Sequence, residues 1–154
     1  MRTIEDLFSE YGESHRNATN KLIHWICVPL IFFSVTGLLY CIKLPVYFRG
    51  HQLNLAMIAT ALVMLYYFSL SLTIAIGMLL FTFICLFLAH TVERSGVMAL
   101  WIFCLIIFVA AWIGQFYGHK IEGKKPSFLK DFLFLMIGPA WLMSFIYKKL
   151  GIRL

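Results

Sequence analysis

The chain has 154 residues, of which 62% are hydrophobic and only 13% charged, whereas a soluble domain is closer to half apolar and a quarter charged. A chain this short cannot bury helices that are apolar all round in a core of its own, so composition excludes a water-soluble globular domain and leaves lipid as the solvent. The net charge of +6 does not point to nucleic acid, because the basic residues stand at the ends of apolar segments, where snorkelling and anionic headgroups account for them.

Ile4, Leu7, Phe8 and Tyr11 fall at i, i+3, i+4 and i+7, the stripe of an amphipathic helix over residues 3–13 that lies on the membrane surface or against the bundle. The charged residues in this stretch leave no apolar core for a cleavable signal, so the first hydrophobic segment is expected to stay in the mature chain. A crossing needs about 20 mostly apolar residues. The first such span is 22–42, closed by Lys43, Pro45, Arg49 and Gly50. The next apolar stretch is too long for one crossing, and the serines and threonine of 69–73 predict a tight turn dividing it into spans 53–69 and 73–90. The polar break at 90–96 precedes a fourth span over 97–117. After a polar stretch with Pro126 comes 131–147, short and carrying Gly138-Pro139, which fits a kinked helix or one that enters a single leaflet. The expected architecture is all-α, one integral membrane bundle of about five transmembrane helices with an N-terminal amphipathic helix, occupying 1–154.

With five crossings, Arg2, Arg16, Lys21, Lys120, Lys124, Lys125 and Lys130 share one side, and Lys43, Arg49, Arg94, Lys148, Lys149 and Arg153 share the other. That near tie fixes no orientation, although the first side is favoured as cytoplasmic. Cys27, Cys41, Cys85 and Cys104 lie in apolar segments without C-x-x-C spacing, as packing residues do.

The polar residues inside the apolar segments gather at 11–24 and 115–126, two stretches that the expected spans bring to one membrane face. Asn20 and His24 are four apart and share a helix face, and Gln115, His119 and Glu122 stand at i, i+4 and i+7. His15 and His24 can converge only if the chain bends between them, for which Asn17, Thr19 and Asn20 are suitable caps. Imidazole suits iron, zinc, copper or nickel, and histidines with a carboxylate and open positions suit non-haem Fe(II) oxygen chemistry. Each histidine taken alone also fits the headgroup level with no ligand. Together, with Asn20, Gln115 and Glu122 as partners around the ligands, they favour a metal site. His51 reads as solvated, and Glu93 with Arg94 as a turn pair. His90 ends the third span and in this arrangement faces the other side. Lys120, Lys124 and Lys125 fit headgroup anchoring or capture of a substrate carboxylate. Trp112, Phe116 and Tyr117 fit an acyl groove or ordinary interfacial aromatics.

Tyr11-x-x-x-His15-x-Asn17-x-x-Asn20-x-x-Ile23-His24, continuing to Val28-Pro29, and Trp112-x-x-Gln115-Phe116-x-Gly118-His119-x-x-Glu122-x-x-x-Pro126 resemble the small membrane family of 2-hydroxy fatty acid dioxygenases. The resemblance runs from about Tyr11 to Gly151. It implies Fe(II)-dependent oxidation of a long-chain 2-hydroxy fatty acid by O2, giving CO2 and an acid one carbon shorter, as in fatty-acid α-oxidation and phytosphingosine breakdown. It further implies that His15, His24 and His119 occupy the family's histidine positions and that His90 is similar to another; from the residues themselves, Tyr11, Asn20, Gln115 and Glu122 are expected to serve catalysis, and Trp112, Lys124 and Lys125 substrate binding. The host membrane is expected to be a bacterial inner membrane, or the endoplasmic reticulum in a eukaryote. Chain-length selectivity is expected to be loose, since burying a methylene between helices gains little over lipid. Two readings stay open beside this one: a small metal or proton transporter, because intramembrane histidines also mark ion pathways, and a non-catalytic lipid-binding protein.

Overall fold

A computed structural model describes residues 3–123 and 128–154, in the stretch 128–134 the backbone only. Six helices and one hairpin follow in chain order: α1 (Ile4–Glu13), α2 (Ala18–Tyr40), β1 (Lys43–Phe48), β2 (His51–Asn54), α3 (Leu55–Leu70), α4 (Leu72–Ser95), α5 (Leu100–Glu122) and α6 (Phe128–Lys149). The starts of α1 to α4 have chemical causes. Thr3 and Asp6 form a reciprocal capping box on α1. Asn17 accepts from the amides of Thr19 and Asn20 at the head of α2, and Asn54 accepts from Met57 at the head of α3. Ser71 both ends α3 and caps α4 through its Oγ, which accepts from Ile74 N, so a single extended residue reverses the chain.

α2, α4 and α5 have the length and hydropathy to cross a membrane. α3, with 16 residues, is about 24 Å long at 1.5 Å per residue, shorter than the ~30 Å hydrocarbon core. Outward-facing Leu62, Leu65, Phe83, Phe87, Trp101 and Ile113 are half to two-thirds exposed, a surface that lipid can solvate and water cannot. In α1, Ile4, Phe8 and Tyr11 are buried against α6, so the amphipathic stripe is spent on the bundle.

α2 is the central helix, and its longest interface is with α5. Small residues set that approach. Gly37 faces the Cys104 thiol, Gly114 faces the Cys27 thiol, and Gly118 faces Asn20 Oδ1 closely enough that a β-carbon would collide with it. All four thiols are free, and Cys27, Cys85 and Cys104 are buried, which is the packing role expected of them. Gly118→Ala tests the approach. Helix propensity alone would favour alanine by at most about 1 kcal/mol, whereas overpacking costs about 1–3 kcal/mol, and Asn20 is held by other bonds. The clash should win, lowering the midpoint of thermal unfolding in detergent; a stabilised Gly118→Ala would contradict it.

Two features depart from the sequence reading. Residues 43–54 form an antiparallel hairpin pairing Tyr47 with Gln52 and Phe48 with His51. Its two-residue turn, Arg49-Gly50, has φ of 49° and 81°, the double positive φ of the primed turns that suit strand twist. Val46, Tyr47 and Phe48 are exposed, as interfacial aromatics are. The helix that follows starts at Leu55 rather than at residue 53. The second is where α6 ends, which departs from a fifth crossing but not from the alternative that this segment fails to cross. The Tyr147 hydroxyl donates to Thr73 O at 2.9 Å, in the first turn of α4, so the C-terminal end of α6 lies beside the Ser71 turn and not at the opposite face.

That contact reassigns the C-terminal charges. Among the described residues, Arg16, Lys21, Lys120, Lys148, Lys149 and Arg153 flank the face at which α2 begins, against Lys43, Arg49 and Arg94 at the other. The positive-inside rule then predicts that the first face is cytoplasmic. Single cysteines placed at Lys120 and at Lys149 should react with an impermeant maleimide from the same side of sealed vesicles, and one at Arg94 from the other. Labelling of the Lys120 and Lys149 positions from opposite sides would refute the return of α6.

Candidate active site

α1 and α2 are joined by four residues, and the junction is folded tightly: His15 N donates to Gly12 O at 3.0 Å, and Asn17 then caps α2. This is the bend that lets His15 meet His24. On α5, His119 stands in the last turn, opposite the first turns of α2. Three imidazoles from three segments therefore converge. Ring centres lie 4.1 Å apart for His15 and His24, 5.2 Å for His24 and His119, and 5.9 Å for His15 and His119. All three are at least nine-tenths buried.

Hydrogen bonds fix two of the tautomers. His15 Nδ1 lies 2.6 Å from Tyr11 O, and His24 Nδ1 lies 2.9 Å from Asn20 O. A carbonyl only accepts, so Nδ1 carries the proton in both rings, and in the neutral imidazole Nε2 is then the nitrogen with the lone pair. Metal-binding histidines are oriented in this way, one nitrogen donating to a backbone carbonyl and the other left as ligand. An imidazole nitrogen binds a metal at about 2.0–2.1 Å, which sets ring centres on one ion several ångströms apart, as these are. Among the described residues no group of three or more side chains is already arranged as a cage for an ion. The rings meet edge to face, and three imidazoles drawn from α2, α5 and the α1–α2 junction are a donor set that suits an imidazole-rich centre.

Glu122 is positioned by α5 to reach the start of α2. Its Oε1 accepts from Arg16 N at 2.9 Å, and its Oε2 accepts from Asn17 N and from Asn20 Nδ2, both at 3.0 Å. Both carboxylate oxygens are thus engaged in pinning α2 to α5. Asn20, fully buried, also donates to Ser14 O at 3.2 Å. Gln115 is buried one turn before His119. Tyr11 stacks on His15, ring centres 4.2 Å apart and nearly parallel. Trp112 lies half-buried between Phe108 and Phe116, beside Cys27, Ile31 and Ala111, on the α2–α5 side. Lys124 and Lys125 fall outside the described residues.

His90 does not join the cluster. It is exposed, and its Nδ1 lies 3.0 Å from the Tyr40 hydroxyl at the far end of α2, where Lys43 pairs with Glu93 at 3.0 Å. Sixteen residues separate Tyr40 from His24 in one helix, about 24 Å of rise. A ligand role for His90 beside His15, His24 and His119 is therefore corrected: the expected span order already sent it to the opposite face, and the hydrogen bond holds it there.

A residue missed by sequence reasoning is Trp141, whose ring lies 5.5 Å from His15 and 5.1 Å from Tyr11. The Gly138-Pro139 pair beside it is a visible signal, which the sequence reading assigns to a kink or a single-leaflet entry and not to the site. Gly138 leaves room for the Tyr11 hydroxyl and so seats α1 on α6. Gly114-x-x-x-Gly118, a small-residue contact motif, was also in view and carries the α2–α5 approach.

The site geometry can be set beside known proteins. The chain matches the Mpo1-like family, described as 2-hydroxy-palmitic acid dioxygenase Mpo1-like, over residues 1–150. It belongs to that family. A curated relative, the 2-hydroxy-palmitic acid dioxygenase MPO1 of Saccharomyces cerevisiae, is 29% identical over 157 aligned positions, which cover 92% of this chain and 78% of the relative. No solved structure matches the chain. The Mpo1-like assignment agrees with the family resemblance carried by the His15–His24 and Gln115–Glu122 motifs.

Proposed function

We propose that this Mpo1-like membrane protein is an Fe(II)-dependent dioxygenase that converts a long-chain 2-hydroxy fatty acid and O2 into the fatty acid one carbon shorter, CO2 and water. The observation that carries the reading is the meeting of His15, His24 and His119, two of them with Nδ1 committed to backbone carbonyls, in a family described by this activity. The reaction balances without a further reductant: cleaving the C1–C2 bond of the 2-hydroxy acid releases four electrons, and O2 accepts four. His15, His24 and His119 would hold Fe(II), which would supply a Lewis acid for the substrate and an electron conduit to O2.

The remaining roles belong to the chain itself. Glu122 and Asn20 hold the α2–α5 junction that sets where His24 and His119 point. Tyr11 and Trp141 wall the His15 side with aromatic surface and limit the access of water. Lys120, exposed in the last turn of α5, stands with Lys124 and Lys125 in sequence where a lipid carboxylate arrives at the interface, and attracts it. An ion pathway is less well supported, because between the two ends of the bundle the buried polar side chains among the described residues are the hydroxyls of Ser34, Thr36 and Thr82.

The test supplies purified protein in detergent with Fe(II), O2 and equal-length 2-hydroxy and unsubstituted acids, and follows products by mass spectrometry. Only the 2-hydroxy acid should be consumed, with release of CO2. Equal consumption of both, or of neither with iron fully loaded, would refute the reading.

A further inference from the structure

A second feature lies deeper in the bundle. α2, α3, α4 and α6 line a partly open cavity of about 180 Å³. Its walls are almost wholly apolar, and it exists because α3 presents Ala56, Ala59 and Thr60 where larger side chains would close it. Its polar lining is three threonines, Thr36, Thr60 and Thr82, of which the Thr82 hydroxyl is committed to Met78 O at 2.7 Å. The cavity shares a face of α2 with the histidines: His24, Val28, Phe32, Val35 and Leu39 follow one another at i, i+4, i+8, i+11 and i+15, a single helical stripe.

Depth can be taken from three helices independently. Phe32 to Leu39 lie about 12 to 22 Å along α2 from His24. On α3, Val63 to Ala56 lie about 10 to 21 Å from the Ser71 turn, and on α4 Thr82 lies about 15 Å from it. The half-thickness of the hydrocarbon core, which is the reach of one lipid chain, is about 15 Å. Met136 belongs both to the cavity wall and to the packed layer of Val28, Tyr67 and Trp141 that reaches Tyr11 and His15, and an unbranched thioether can rearrange to let a chain pass.

We propose that this cavity receives the ω end of the substrate's acyl chain while its carboxyl end lies at the histidines, so that Ala59 and Thr60 set the chain length the protein accepts. This rests on the dioxygenase reading for the head of the ligand, and on the α2 stripe and the matched depths for its tail. It also alters the expectation of loose selectivity. Burial of a methylene gains little over lipid, but side chains that narrow the cavity reject a longer chain by steric conflict, and one methylene is worth roughly tenfold or more in an apolar pocket.

Two arms test the proposal on the full chain in nanodiscs. A 2-hydroxypalmitic acid carrying a diazirine at its ω carbon should photolabel peptides containing 32–39 and 56–63, and excess unlabelled 2-hydroxypalmitic acid should suppress the labelling. Adducts confined to outward residues such as Leu62 and Leu65, or not suppressed by competitor, would overturn the pocket. In the second arm, Ala59→Phe should lower the ratio of turnover on 2-hydroxypalmitic to 2-hydroxylauric acid by about tenfold or more, with helical circular dichroism unchanged, and Leu62→Phe, on the outward side of α3, should leave the ratio as in the parent. An unchanged ratio in a folded Ala59→Phe would overturn the proposal, and if that variant does not fold the labelling arm decides alone. Competed labelling at these helices by a protein that turns over neither acid would keep the pocket and remove the dioxygenase reading.

Discussion

His24→Ala, His15→Ala and His119→Ala should each lower the iron bound to the purified protein by about tenfold or more, measured by elemental mass spectrometry after anaerobic loading with Fe(II). Replacing even a residue that merely orients a ligand costs about 10–100-fold in metal affinity, and the loss of one imidazole from three removes a bond outright. His24 is the most informative position, because its ring is within 5.2 Å of both others and its Nδ1 is already committed to Asn20 O. His24→Gln, of similar size and unable to ligate in the same way, separates loss of the ligand from a hole in the packing. His51→Ala and His90→Ala should keep the parental iron content, since His51 is exposed beside the hairpin turn and His90 is held against Tyr40 at the other end of the bundle. Full iron in all three cluster variants would refute the metal centre.

How much of this was legible in the sequence depended on whether the signal was local. The 3.6-residue stripe of Ile4, Phe8 and Tyr11 and the serine that divides 53–90 are local signals, and α1 and the Ser71 reversal lie where they point. The i, i+4 spacing of Asn20 with His24 and of Gln115 with His119 is equally local. The end of α6 was open between a crossing and a single-leaflet entry, because hydropathy finds apolar segments but does not say whether a segment reaches the far side. That is decided by a tertiary contact, Tyr147 to Thr73. The hairpin was hidden because Lys43, Pro45, Arg49 and Gly50 read as the close of the first span, and because its turn places an arginine at positive φ, where asparagine or glycine is the usual sign. The carboxylate of Glu122 was visible as chemistry but its partners were not, since two of them are backbone amides, which carry no residue identity.

Those amides make Glu122→Ala the second large effect. With Glu122 absent, Arg16 N and Asn17 N lose their acceptor and Asn20 Nδ2 keeps only Ser14 O. Charge-assisted bonds of this kind contribute about 1.5–3 kcal/mol when buried. The carboxylate is partly exposed, so screening reduces that figure and the fold should survive. Geometry suffers more than stability. Asn20 O is the acceptor that orients His24, and the Ser14–Asn17 junction carries His15, so releasing this junction loosens two of the three imidazoles together. We expect Glu122→Ala to weaken iron binding about 10–100-fold, as for residues that orient ligands, while unfolding in detergent shifts only modestly. Glu122→Gln keeps one acceptor oxygen but turns an NH2 toward amide donors, and should fall between Ala and the parent. The combination with Asn20→Ala decides whether Glu122 acts through Asn20: the two losses should be strongly less than additive, because both variants break the same junction. Additive losses, or parental iron affinity in Glu122→Ala, would show that the carboxylate does not position the histidines.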